Sequence, residues 1–596
     1  MVTNPLLNTK TSPVASAFFQ SLAALEADLV RYAAWYPYPK LSVAELDPPN
    51  ATTRTTSWDF TNLMDMFEPF MNATYARGKR VLATFSTKPT WMYDTDDWSY
   101  PEDPNTVDFG YARGNPTPNT TKLLVDYYVR LVSWLITGEM IDEYGKVIGG
   151  GPRYNLTHWE VFNEPENCHG LTTVFDYIAQ YDAIVNGIRA KVDPEHRIKF
   201  VGLALQDRSM EWIQPFLNAS NHAPDTPIDL VSFHFYASSA NRTDPNAYQQ
   251  FFSDADGFLQ EVVQIAAARD QLNPMTALSC NEMGVILPND NDPTAAIPPQ
   301  IYFVAAGAMY AYLVPHMTKL GVNVLGASQL AGSPPIPEWD IPDPQYPSVT
   351  LVNWTSGQGN PRYWVLKMFL EEFMYYMRAG GYSLFCLQFG AGDQLLYTSP
   401  IQTANTSNLL CGRVRGVLGY GNLSLACLAE GAVIADVQFA AFGTPTGSCG
   451  NYQHGTCDAS NVTSYVQKAC VGQRECTIVS DATFGDPCYG TYKDLVIQAT
   501  CSQGPGVARP SDSDNTPAFA QAYLTVDGTK KVLMVNKTPG TVSVELAGAC
   551  SHSAETMTSV RVVDEISGDG PPRKLDVSDE NQVTLGPYAT AVAILQ

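Results

Sequence analysis

This chain is short of charge. Only 16% of its 596 residues are Asp, Glu, Lys or Arg, while 45% are apolar, which makes it globular rather than disordered. Positive charge is scarcest: 36 Lys+Arg stand against 60 Asp+Glu, a net −24 that repels nucleic acid and anionic membrane, so neither is an expected partner. Long apolar runs are missing too. The longest, near 301–314, is too short to span a bilayer and reads as a buried amphipathic helix, so no membrane insertion is expected. Residues 1–20 lack the basic start and apolar stretch of a signal peptide. There are no internal repeats, low-complexity tracts or metal-type C-x-x-C pairs, and no metal or cofactor is expected.

What is present points to sugars and to the cell exterior. Aromatics make up 11%, and rings in a low-charge chain suit neutral polar ligands that stack their apolar faces. N-x-S/T sequons, the acceptor pattern for N-glycans, begin at Asn50, Asn72, Asn119, Asn155, Asn218, Asn241, Asn353, Asn405, Asn422, Asn461 and Asn536. Seven of the twelve cysteines fall between Cys427 and Cys501, dense enough for a disulfide framework. A secreted, extracellular protein is expected, at a cell surface or in a cell wall, with its signal outside this numbering.

At this length more than one core is expected. Residues 1–380 alternate apolar strands with amphipathic helices. Strands are expected over 29–35, 80–85, 159–162, 198–203, 230–235, 276–280 and 322–328. Helices are expected over 18–27, 63–75, 123–137, 174–192, 255–269, 301–313 and 363–377. That alternation implies a parallel sheet with right-handed crossovers. An open doubly wound sheet has the same period. The polar and aromatic residues that follow the strands (Trp35, Trp91, Asn163, Glu164, His234, Tyr236, Glu282 and Gln329) favour a (β/α)8 barrel, whose site gathers at strand C-terminal ends. An eighth strand is expected ahead of the first helix, where residues 1–10 are too polar to supply it. After about residue 380 the helical period gives way to short alternating strands. An accessory β-sandwich is expected over 381–410 and 505–596, and a separate small domain over the cysteine-rich 411–502.

The stretch 157–166 (THWEVFNEPE) organises the first part. A short buried strand runs into a polar corner, because Pro165 has no N–H for a ladder and restricts the residue before it. Glu164 is left at the strand's end facing a cleft. A carboxyl set against aromatic rings loses hydration and holds its proton, as a general acid near neutrality must. The same residues also fit a plain helix start, with Asn163 as cap and the glutamates favoured by the helix dipole. A second carboxyl, Glu282, ends a later strand. Two carboxyls on facing strand ends can cleave a glycosidic bond. One protonates the leaving oxygen and the other attacks the anomeric carbon, with retention when they stand about 5–5.5 Å apart.

Asn163-Glu164-Pro165 with the later Glu282 resembles the clan A retaining glycoside hydrolases. The segments 31–39 (RYAAWYPYP), 85–92 (FSTKPTWM) and 232–236 (SFHFY) are most similar to glycoside hydrolase family 39 and its relatives, over about 350 residues. The resemblance implies that Glu164 is the acid/base and Glu282 the nucleophile. It implies that Asn163 binds the hydroxyl beside the anomeric carbon and that Tyr236 or His234 orients the nucleophile. Trp35, Trp91, Lys88 and Gln329 complete the expected substrate-binding set. One departure concerns the sugar subsite: many clan A enzymes end the last strand in Trp, and this chain has Ser328-Gln329 there.

The segments 441–450 (AFGTPTGSCG) and 484–493 (FGDPCYGTYK) resemble the galactose- or rhamnose-binding (SUEL-type) lectin domain found at the end of plant β-galactosidases. That resemblance implies the bridges Cys411–Cys449, Cys427–Cys501, Cys457–Cys488 and Cys470–Cys476, and sugar contacts at Asp486 and Lys493. Gly412 and Phe442 stand where such lectins usually carry polar sugar contacts. The expectation is therefore a secreted retaining glycosidase that acts on cell-wall or extracellular polysaccharide, with carbohydrate as its partner. The alternative is a non-catalytic carbohydrate-binding or structural glycoprotein on a hydrolase scaffold.

Overall fold

Seven parallel strands lie side by side in chain order: β1 (Leu29–Ala34), β2 (Arg80–Phe85), β3 (His158–Glu160), β4 (Lys199–Leu205), β5 (Leu230–Ala237), β6 (Ala277–Val285) and β7 (Val322–Ala327). This computed structural model describes residues 4–595 except 35–37, 96–98, 107–113, 168–169, 291–294, 333–347, 374–393, 397–408, 417–421, 428–432, 447–451, 480–482, 489–492, 503–515, 526–527, 547–556 and 576–581. Among the described residues, eight helices of eight residues or more accompany the strands: α1 (Ala15–Leu25), α2 (Thr61–Ala73), α3 (Thr120–Thr137), α4 (Val174–Lys191), α5 (Met210–Leu217), α6 (Gln250–Leu272), α7 (Gln300–Lys319) and α8 (Pro361–Phe373). The strands are buried almost throughout because helices cover one face and the other strands' side chains fill the interior. The architecture is a TIM-type barrel. Where an eighth strand was expected, Pro5–Leu7 form a short 3-10 turn, and the Asn4 side chain donates to the Gly332 carbonyl beyond β7 at 2.5 Å.

Helix α7 departs from its sequence reading. It is not amphipathic: residues from Ile301 to Met317 are buried on every side. The reason lies outside the barrel. A six-stranded antiparallel sheet formed by Gln394–Leu396, Ala518–Leu524, Lys530–Asn536, Thr590–Leu595, Met557–Val563 and Arg573–Leu575 covers its outer face. The Phe519 and Tyr312 rings meet edge-on at 5.2 Å. Lys531 and Arg561 of that sheet converge on Glu372 of α8, at 3.0 and 2.6 Å. Phe519, Tyr523, Leu533, Val535 and Val592 thereby join the barrel's own core.

A smaller unit has its own core around Val437, Phe442, Val466, Leu495 and Ile497. Its three-stranded sheet is Leu409–Gly416, Lys493–Cys501 and Ile434–Gly443. The pair Asn422–Ala426 with Glu475–Val479 and the helix Val462–Cys470 complete it. Disulfides join Cys427 to Cys501, Cys457 to Cys488 and Cys470 to Cys476. Cys411 is disulfide-bonded as well, while position 449 lies outside the described residues. Among the described residues no helix is long and apolar enough to cross a membrane.

Candidate active site

The C-terminal ends of β3, β5 and β6 bring three side chains together. A carboxylate oxygen of Glu164, a ring nitrogen of His234 and a carboxylate oxygen of Glu282 all lie within 4.8 Å of one another. His234 faces Glu282 directly in the β5–β6 register, because a bulge between Cys280 and Glu282 shifts the pairing. Bulges re-aim side chains at strand ends, and here the bulge turns Glu282 toward the cluster. Strand β6 runs on to Val285, beyond the expected end at 280.

Glu164 sits past the end of β3, which stops at Glu160 rather than at Phe162. Its backbone N–H still reaches the Ala204 carbonyl of β4 at 3.0 Å. Phe162 and Glu164 both adopt left-handed backbone, with φ of 67° and 46°. Such geometry is disfavoured in non-glycine residues and persists only where the surroundings hold it. The His234 Nδ1 lies 2.9 Å from Glu164 Oε1 and 3.7 Å from Glu282 Oε2. His234 is fully buried, and its Nε2 has no partner. Burial alone would lower its pKa; the two carboxylates outweigh that and raise it.

Glu282 is held on both oxygens. Arg31 Nη1 donates to Oε1 at 2.5 Å, and the Tyr236 hydroxyl donates to Oε2 at 2.6 Å. The Ser328 hydroxyl stands 2.7 Å from the same Tyr236 oxygen. Burial pushes the Glu282 carboxyl up, but the His234 and Arg31 charges and the Tyr236 bond prevail and hold it at about 2. The positive charge beneath this cluster is that of Arg31. Its Nε donates to Glu160 Oε2 at 2.7 Å and its Nη2 to Asn163 Oδ1 at 2.5 Å. Glu160, almost fully buried, also accepts from Thr84 at 2.8 Å, Ser232 at 2.7 Å and Asn281 at 2.6 Å. A buried carboxylate needs that many donors to offset lost hydration. Gly284 makes room for the arrangement: a Cβ there would meet the Ser328 carbonyl at 2.9 Å and the Tyr236 ring at 3.1 Å.

Of the residues expected at the site, Asn163, Glu164, His234, Tyr236 and Glu282 are joined in this network. Others take different positions. Lys88 is buried over the rings of Tyr93 and Phe162, at 4.4 and 4.9 Å. Trp91 packs against the barrel core and donates its indole N–H to the Glu45 carbonyl at 3.2 Å. Gln329 pairs its backbone with Val349 and Leu351. Trp35 lies outside the described residues. The sequence reading missed Arg31, Glu160, Ser232, Asn281 and Ser328. The available signal was an arginine and a glutamate set inside otherwise apolar strands, each of which demands a buried partner.

In the smaller unit, Lys493 Nζ pairs with Asp486 at 2.7 Å, which lowers the Asp486 pKa. Phe442 is fully buried in the core and not available to a ligand. Among the sequons, Asn50, Asn72, Asn119, Asn155, Asn241 and Asn461 are exposed and Asn218 is half-buried. Asn353 donates to Asp569 at 3.2 Å. Position 405 and the Asn422 side chain lie outside the described residues. Asn536 corrects an expectation. It is fully buried, and its Nδ2 donates to the Gly540 and Gly586 carbonyls at 2.6 and 2.7 Å, so the amide that would carry a glycan is committed inside the sandwich.

Residues 425–501 match the model of the D-galactoside/L-rhamnose binding SUEL lectin domain, and this segment is a domain of that kind. Residues 518–593 match the D-apionate lactonase C-terminal immunoglobulin-like domain. The chain is 53% identical over 81 residues to Beta-galactosidase 6 of Oryza sativa subsp. japonica, covering 13% of this chain and 9% of that one. It is 48% identical over 81 residues to Beta-galactosidase 8 of Arabidopsis thaliana, covering 13% and 10%. The chain thus spans about a tenth of these relatives' length. Among solved structures, an α-L-arabinofuranosidase from Thermotoga maritima superposes with a TM-score of 0.50 at 11% identity, over 99% of this chain and 91% of that one. The likeness is one of fold.

Proposed function

We propose that this chain is a retaining glycoside hydrolase in which Glu164 is the acid/base and Glu282 the nucleophile. One observation carries the reading: two carboxyls over 100 residues apart in sequence converge to within 4.8 Å at the mouth of a TIM-type barrel. Carboxyls about 5–5.5 Å apart leave no room for an intervening water, so the second attacks carbon directly and a covalent glycosyl-enzyme forms. Glu282 suits attack, because Arg31 and Tyr236 keep it ionised while each of its oxygens retains a further lone pair. Glu164, less tightly held, is left to protonate the departing oxygen and then to deprotonate the incoming water.

Asn163 is fixed by Arg31 and positions the hydroxyl next to the anomeric carbon, as in the family 39-like clan A pattern. The substrate is cell-wall or extracellular polysaccharide, which the SUEL-type domain helps to hold. The disulfides and exposed sequons support secretion, since such bridges persist in oxidising compartments. The test is hydrolysis of aryl glycosides by the wild type, Glu164→Gln and Glu282→Gln, with azide added. Each variant should lose hydrolysis. Azide should rescue the Glu164 variant to a glycosyl azide of retained configuration and the Glu282 variant to one of inverted configuration. Full activity in either variant refutes the assignment.

A further inference from the structure

Arg362, in the first turn of α8, is fully buried. Among the described residues its guanidinium meets three backbone carbonyls and one hydroxyl, and none of its partners is a carboxylate. Nη1 donates to the Ser348 carbonyl at 2.5 Å and to the Thr350 carbonyl at 3.4 Å. Nη2 donates to the Ser328 carbonyl at 2.9 Å and to the Tyr310 hydroxyl of α7. A buried cation without a counter-charge is costly, and an apolar side chain of similar volume would fill the same space at lower cost.

The effect of that cation is seen at Ser328, the residue that follows β7. Its N–H donates to the Met283 carbonyl of β6 at 2.9 Å. Its carbonyl accepts from Arg362 and, at 3.2 Å, from the Tyr310 hydroxyl. With the backbone held on both sides, the side chain reaches toward β5, and Oγ stands 2.7 Å from the Tyr236 hydroxyl. Tyr236 has a single proton to give, and Glu282 Oε2 takes it at 2.6 Å. The Ser328 hydroxyl is thus the donor to the Tyr236 oxygen, which turns the Tyr236 O–H toward Glu282. Burial pushes the Tyr236 hydroxyl well above its ordinary range and the Glu282 charge adds to that, so the proton stays on the tyrosine. All three residues converge on Gly284 of β6. A Cβ there would lie 2.9 Å from the Ser328 carbonyl, 3.1 Å from the Tyr236 ring and 3.2 Å from Arg362 Nη2.

We infer that Arg362 and Ser328 are positioning residues for Glu282, which rests on the nucleophile reading of that residue: Arg362 sets the Ser328 backbone, and the Ser328 hydroxyl aims the Tyr236 O–H at the nucleophile. Both act through Tyr236. An arginine that merely joined the end of β7 to residues 348–350 would weaken the fold when lost, and its loss would lower the rate by the same factor whatever stood at position 236. A relay through the tyrosine hydroxyl makes the effect depend on that hydroxyl.

Double-mutant cycles separate the two cases. Hydrolysis of nitrophenyl glycosides and of cell-wall polysaccharide is measured for the wild type, Ser328→Ala, Arg362→Lys and Tyr236→Phe, and for the first two substitutions combined with Tyr236→Phe. Ser328→Ala should lower kcat about fivefold and Arg362→Lys about tenfold, each with KM little changed. With Tyr236→Phe, which removes the O–H being aimed, the further loss from either substitution should shrink to about twofold or less. Should Arg362→Lys fail to fold, Tyr310→Phe takes its place in the cycle. It removes the second donor to the Ser328 carbonyl, and its loss of about threefold should shrink in the same way. Losses that persist in full beside Tyr236→Phe overturn the inference, as do single variants with wild-type kcat. A wild type that hydrolyses none of these substrates defeats the reading of Glu282 and the inference with it. An active wild type with fully additive losses defeats the inference alone.

Discussion

Arg31 bridges two carboxylates, Glu160 beneath the barrel mouth and Glu282 at it, with contacts of 2.6 and 2.5 Å. One planar guanidinium serves both and still donates to Asn163. Only a fork with several fixed donors can do this.

Arg31→Lys should therefore behave as a severe change. A single ammonium cannot reach Glu160, Glu282 and Asn163 together, which leaves a buried carboxylate unpaired. The expected cost is about 3 kcal/mol in stability, read from urea unfolding. Hydrolysis should fall about 100-fold even where the variant is fully folded, because both Glu282 and Asn163 lose their anchor.

Tyr236→Phe tests the other hold on Glu282. The hydroxyl bond favours the ionised carboxylate, so removing it raises the Glu282 pKa from about 2. The acid limb of kcat/KM should move to higher pH, and kcat should drop by about tenfold or more. An acid limb that stays in place argues that Arg31 and His234 alone keep Glu282 charged.

Much of this was legible beforehand, and the failures share a cause. The strand–helix alternation, the Glu164 and Glu282 pairing and the cysteine-rich unit all carry local signals: period, proline stops and motif spacing. Helix α5 escaped notice because it is only eight residues long and holds Pro215, so its period is too brief to register. The end of β6 was placed too early because a bulge interrupts its pairing, and polar Asn281 and Glu282 read as loop. Helix α7 was taken as amphipathic because its outer cover comes from strands over 200 residues later. Arg31 and Glu160 were passed over for the same reason: a buried charge is explained only by a partner that the fold supplies.

Glu45 offers a prediction on stability. It is fully buried, neither of its carboxyl oxygens has a partner, and burial pushes its pKa from 4.5 to about 9, with Glu143 adding to the rise. A folded-state pKa above the unfolded value gives a contribution that is fully present below about 4.5 and is lost as pH rises through about 9. The wild-type Tm should accordingly decline between pH 5 and 9. Glu45→Gln, which has no proton to lose, should flatten that decline and raise Tm at the alkaline end. Parallel pH profiles of Tm for the two proteins would show that Glu45 is not the group responsible.

Glu372 joins barrel to sandwich, accepting from Lys531 and Arg561 in a mostly buried ion triad. Removing the Glu372 carboxylate takes the carboxylate partner from buried Lys531 and leaves Arg561 with Glu371 alone, at 2.8 Å. Glu372→Ala should cost about 3 kcal/mol and split a single calorimetric transition into two, as the sandwich releases before the barrel. Loss of one exposed ion pair would shift Tm only slightly, so the split itself is the decisive observation.

Asn536 separates a sequence motif from its structural context. Its sequon is intact, yet its amide bonds the Gly540 and Gly586 carbonyls and its Oδ1 accepts the Thr538 N–H at 2.9 Å. A glycan attached before folding would have to be buried, and one attached afterwards would have to break these bonds. Mass spectrometry of the protein expressed through a eukaryotic secretory pathway should find Asn536 unmodified while exposed sequons such as Asn50 and Asn155 carry glycan. Asn536→Asp should destabilise by about 2 kcal/mol, because it replaces a donor with an acceptor facing two carbonyls. A glycosylated Asn536 in the folded protein so expressed would mean that the turn between Lys530–Asn536 and Val542–Glu545 adopts another conformation, with Nδ2 turned outward and the two carbonyls satisfied by water.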